Sequence, residues 1–173
     1  MRDMECLLMG LRILLTMFYL LAAPVGQACA ARNAEHVYAT GNVMEIDRCA
    51  SAWLIKRYID NKAVFRFYPP GILITEGKAF DRPEGDWHRT HDRATFEIIA
   101  RAGKINNSKI TFIGNLIHDM EVNFWGNKSN PETMRFASGL RRELAKGKTC
   151  EDKMQRCFAF LSRYTESLPD EDQ

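Results

Sequence analysis

Two residues side by side raise the first chemical question. Asp47 and Arg48 open the stretch EIDRCASAWLIKRYID, residues 45–60, whose later part reads as an amphipathic helix. An aspartate at a helix start is explained by capping alone, worth about 1 kcal/mol. An arginine there is not, because a cation in the first turn opposes the helix dipole. Arg48 is better placed if it answers an acid or an external anion. Arg57 lies further along the same helix, and Arg93 precedes another helix start, where free N–H groups also favour anions. A guanidinium fork matches the two-point geometry of a tetrahedral oxyanion.

The chain has four histidines. His88 and His91 share the polar stretch HRTH. Imidazole suits zinc, copper, iron and nickel, but a metal needs several ligands together. His118 sits in IHDME. On a helix, His118 and Glu121 are neighbours three apart and can meet a common ion. Asp119 points well away from them at about 100° per residue, so the three cannot share one centre on an unbroken helix. The plain alternative has Asp119 and Glu121 facing solvent. His36 carries no expected role. No phosphate loop, nucleophile elbow or Cys-x-x-Cys is present.

These residues need elements to hold them. HVYATGNV, 36–43, reads as a strand. Asp47 is the expected cap of the first helix, whose apolar stripe runs through Ala50, Trp53, Leu54, Ile55, Tyr58 and Ile59. AVFRFY, 63–68, alternates like a strand and stops at Pro69-Pro70-Gly71. ILITEG is a candidate short strand. Residues 78–93 form a polar loop with short extended pieces. ATFEIIARAG is a helix closed by Gly103. KITFIGNLIHDMEV is long enough for a helix, with Ile110, Ile113, Leu116, Ile117 and Met120 as its buried arc. Pro131 in a first turn, capped by Asn130, opens a helix running to Gly147. A last helix covers about 151–166. The fold class is therefore α+β, a small sheet packed with four to five helices.

At 173 residues the chain is long enough for one domain with a real core. Hydrophobic residues make up 46% and charged ones 27%, which excludes a disordered chain, and a net charge of +2 argues against nucleic acid as partner. Residues 1–30 have the pattern of a secretory signal peptide: basic start, short apolar run, and small residues at Ala28 and Ala30. The run is too short for a membrane span, so periplasmic export without stable membrane insertion is expected. Residues 31–43 then form a linker and first strand, 44–167 the domain, and 168–173 a loose acidic tail. Cys49, Cys150 and Cys157 remain after cleavage. Cys150 and Cys157 are two turns apart on a continuous helix, about 10 Å, too far to bridge. A bridge between them needs Cys150 outside the helix. Cys49 with either is the other option, and one thiol is left over.

The ordered motifs IDR-x-x-x-x-WLI-x-RYID, FDRPEGDWHRTHDRATFE, IHDME and NPET resemble the chromate-resistance family. That domain forms the C-terminal half of a chromate-responsive regulator and also occurs as an exported stand-alone protein. The likeness covers about residues 44–145. It implies a role in tolerating chromate, and it places Asp47, Arg48, Arg57, His91 and His118 on family positions, with Asp119 and Glu121 following. Relatives usually carry Cys-Pro where this chain has Ser51-Ala52, and Cys where it has Ala94, so thiol chemistry at those positions is in doubt. With a signal-peptide pattern where the regulator carries its DNA-binding half, the chain is not expected to be a repressor.

The resemblance suggests one site drawn from three segments. Asp47, His91, His118 and Glu121 are expected to hold a divalent transition metal of unspecified identity, with Asp119 behind them. Arg48, Arg57 and Arg93 are expected to meet a small oxyanion. The alternatives are a metal-dependent periplasmic hydrolase or redox enzyme, and a non-catalytic interaction module.

Overall fold

The computed structural model describes residues 35–123 and 125–170. The expected signal peptide and most of the linker lie outside these residues, as do the last three of the acidic tail.

Five apolar-to-small residues in a row, Val37–Gly41, form β1, and all five are buried. That pattern belongs to the centre of a parallel sheet, covered on both faces. β2 (Val64–Tyr68) and the short β3 (Lys78–Ala79) flank it in the order β2-β1-β3, both parallel to it. The stretch 72–77, expected as a strand, is irregular; β3 begins only after it.

α1 (Ile46–Leu54) connects β1 to β2 and continues into a π-type turn at Ile55–Ile59. Four more helices follow among the described residues: α2 (Thr95–Ala102), α3 (Ser108–Glu121), α4 (Thr133–Lys146) and α5 (Cys150–Ser167). The fold is the expected α+β, with five α-helices among the described residues. Trp53, Leu54, Ile55, Phe96, Ile99, Ile113, Leu116, Ile117, Phe136 and Leu161 fill one core.

Several local expectations are corrected. The cap position of α1 is Glu45, which makes no capping bond, and Asp47 lies inside the first turn. Asn130 does not cap α4, which starts at Thr133; its side chain accepts from the Glu132 amide in the turn before the helix. His36 is not idle, since its Nδ1 lies 2.8 Å from Asp60 Oδ2.

Cys49 of α1 and Cys157 of α5 form a disulfide with both residues fully buried, leaving Cys150 free. The two lie 108 positions apart, and closing a loop of that length stabilises by about 4–5 kcal/mol in the chain-entropy account. Beside it, Trp53 Nε1 donates to Ser162 Oγ at 3.1 Å, fixing α1 on α5.

Candidate functional site

The start of α2 explains what Asp47 does. Ala94 precedes that helix and has no side-chain oxygen, so the first amides of α2 need an acceptor from elsewhere. Asp47 supplies it. Its Oδ2 accepts from Thr95 N–H at 2.7 Å, and its Oδ1 from Phe96 N–H at 2.9 Å and from the Ser51 hydroxyl at 3.2 Å. Asp47 as a whole is only 3% exposed. Burial first, then the charge of Asp81 and more weakly Glu121, push its pKa up to about 7 against the pull of the two amides.

Arg48 faces the loop after β3. Its Nε lies 2.8 Å from Asp81 Oδ2, and one terminal nitrogen donates to the Asp81 carbonyl at 3.1 Å while the other donates to the Val43 carbonyl. The expected acid is therefore Asp81. Gly41 permits this placement, because a Cβ there would sit 3.2 Å from the guanidinium.

Asp81 is the residue the local pattern does not single out. It adopts φ +49°, a left-handed conformation that aspartate tolerates better than most side chains. Its amide donates to Trp87 O, and its Oδ1 accepts from the Thr95 hydroxyl at 2.9 Å. Burial raises its pKa, outweighing Arg48 and Thr95. Gly85 lets the loop fold back: a Cβ there would meet Ala79 O at 2.7 Å. The Asp-Arg pair at 81–82 repeats the pair at 47–48, but the same pair also stands at 92–93, so it does not by itself mark Asp81.

A pocket of about 310 Å³ opens here, lined by Glu45, Arg48, Asp81, Arg82, His88 and Arg89, with Pro83 at its wall. Arg82 is held by Glu84, at 2.7 and 2.9 Å, and by Ile72 O. His88 Nδ1 donates to Gly85 O at 2.6 Å, which leaves its Nε2 uncommitted in that bond. Arg89 reaches Glu121 Oε2 at 3.1 Å but remains 58% exposed, the least confined guanidinium of the three. Burial raises the pKa of Glu121; Arg89 opposes this, while Glu45 and Asp81 add to it.

The other expected ligands lie elsewhere. His118 Nδ1 donates to Glu97 Oε2 at 3.0 Å, and the same oxygen accepts the Ala94 amide at 2.8 Å, so His118 ties α3 to the start of α2. His91 is 94% exposed, with its ring 3.9 Å from Asp92. Asp119, expected to face solvent or stand behind a metal, is buried and holds the segment leading into α4. It accepts from Ser129 Oγ at 2.6 Å, Asn130 N at 2.9 Å and Thr133 Oγ1 at 2.9 Å. Burial alone would raise its pKa, yet those donors hold it well below the ordinary carboxylate range. Arg57 is exposed, and the Arg93 guanidinium lies 3.9 Å from Asp92 at the loop surface. Among the described residues, no group of three or more His, Cys, Asp or Glu is placed to hold a metal ion. No described helix is long and apolar enough to cross a membrane.

The structure thus gathers Arg48 with Arg82, Arg89 and His88. Asp47 is buried close enough to Asp81 and Glu121 to feel their charge, and His91 stays outside in solvent. No curated protein and no solved structure matches the chain. The family described as ChrB, C-terminal domain, matches residues 38–165, which span every element from β1 to the last turns of α5. The chain belongs to that chromate-resistance family.

Proposed function

We propose that this chain serves chromate tolerance by holding a small tetrahedral oxyanion in the pocket between the start of α1 and the loop after β3. One observation carries the reading: three guanidiniums and an imidazole converge there on a space of about 310 Å³. Arg48 and Arg82 are already fixed by Asp81 and Glu84, which orients their forks before any ligand arrives. Arg89 is exposed enough to leave Glu121 and close on an anion. The bonds Arg89 would make are charge-assisted, the stronger class of hydrogen bond. Export to an oxidising compartment is part of the same proposal, and the buried Cys49–Cys157 pair supports it, since such bonds persist where thiols are not kept reduced. The donors around Asp47 and His118 are spent on helix starts, so the support falls on the anion rather than on a metal.

Calorimetric titration of the purified protein with chromate tests this. The wild type binds, and Arg89→Ala weakens binding by about tenfold while far-UV circular dichroism is unchanged. No binding of chromate, sulfate or phosphate by the wild type would sink the reading. So would an Arg89→Ala protein that binds chromate as the parent does.

A further inference from the structure

The pocket wall is not uniformly basic. Glu45 and Asp81 line it together with the three arginines. Asp81 has both oxygens occupied, one by Thr95 and one by Arg48. Glu45 does not. It makes no capping bond to α1, its carboxyl is 58% exposed, and its nearest cation is Arg48 at 4.0 Å. A carboxylate free to turn into an anion pocket is a poor neighbour for a fully ionised ligand, because like charges brought together cost affinity. It is a good neighbour for an oxyanion that keeps one O–H. A carboxylate only accepts hydrogen bonds, and an O–H is the donor it lacks.

We infer that the pocket selects oxyanions that still carry a proton over those that do not, and that Glu45 reads that proton. The inference rests on the oxyanion reading above and adds a chemical class to it. Hydrogen phosphate and hydrogen arsenate have the needed O–H at neutral pH, and chromate has it in the minor, hydrogen chromate form. Sulfate and selenate, of the same shape, do not at neutral pH. Arg48, Arg82 and Arg89 supply attraction common to all of them. Glu45 supplies the repulsion that separates the two groups, which is how a site distinguishes ligands of equal size.

The experiment is a ligand series at one neutral pH on the full-length protein. Phosphate, arsenate, sulfate and selenate are titrated separately into the wild type and into Glu45→Gln, whose exposed side chain makes the fold insensitive to the change. The wild type binds phosphate and arsenate about tenfold or more tightly than sulfate and selenate. Glu45→Gln narrows that ratio to about twofold, mainly by gaining sulfate. Equal wild-type affinity for sulfate and phosphate overturns the selectivity and leaves the oxyanion site standing. A wild-type preference that Glu45→Gln preserves overturns the role of Glu45. Failure of every anion to bind removes the site and the selectivity with it.

Discussion

Asp47 and Asp119 are both buried carboxylates, and both hold the start of a helix that belongs to another part of the chain. Asp47 receives the first amides of α2; Asp119 receives the Asn130 amide and the Thr133 hydroxyl at the start of α4. Their affinities for protons nevertheless move in opposite directions. The Asp119 carboxyl accepts from four neutral donors, counting the weak 3.4 Å contact from Asn123, and the Lys128 ammonium stands beside it on the Asp119 carbonyl at 2.8 Å. Around Asp47 stand two other acids, Asp81 and Glu121. Burial disfavours the charge in both places, so the difference lies in the company. One aspartate is a settled structural anchor. The other lies within reach of the charge of two further acids, a condition a structural anchor alone does not need.

The largest expected effect breaks the anchor. Asp119→Ala leaves three well-placed donors without their acceptor and should cost about 3 kcal/mol or more, read as a lower denaturant midpoint. Asp47→Ala should cost less, about 1–2 kcal/mol, because removing its charge also relieves Asp81 and Glu121. Equal losses at the two positions would erase the contrast.

The next effect lies in pH dependence, and it sharpens the comparison through its sign. Asp47 binds its proton more tightly folded than unfolded, at about 7 against 3.8. Its contribution to stability is therefore full below roughly pH 4 and declines as pH rises toward 7. Asp119 is shifted the other way, so its contribution is present above its ordinary value and is lost as pH falls below it. Asp47→Asn should flatten the decline between pH 4 and 7, and Asp119→Asn should flatten the acid loss. Denaturant unfolding at a series of pH values measures both slopes. Asp81→Asn, followed by carboxyl NMR, should bring Asp47 toward the ordinary range and leave Asp119 unmoved.

The smallest effect is at His91. Its exposed ring has no partner closer than Asp92 at 3.9 Å, so His91→Ala should leave the Tm unchanged, whereas His118→Ala should lower it by freeing Glu97. A drop at His91 equal to that at His118 would reveal a structural contact at His91 and erase the contrast.

Periodicity carried much of the fold. The arc Ile110, Ile113, Leu116, Ile117 and Met120 on α3 is buried as its spacing requires, because a helix facing a core must turn one stripe inward. The same wheel failed for Asp119. A wheel gives the direction of a side chain, not whether a later segment covers it, and residues 128–133 close over this one. Asp47 was legible as a helix-start residue but not as the acceptor for amides 48 and 49 positions away, since no local pattern encodes that pairing. Arg48 stood out because its charge opposed its own helix, and the structure supplied the acid. Arg82, Arg89 and Asp81 were hidden in a loop without period, where sequence gives polarity but not direction.

The Cys49–Cys157 bond has a consequence beyond stability. Every loop from the π-type turn to the start of α5 lies between the two sulfurs, including the exposed turn at Gly71–Leu73. A protease that cuts once in any of them leaves both fragments tethered as one covalent molecule. Damage of that kind would pass unseen on a non-reducing gel and appear only when the sulfurs are parted.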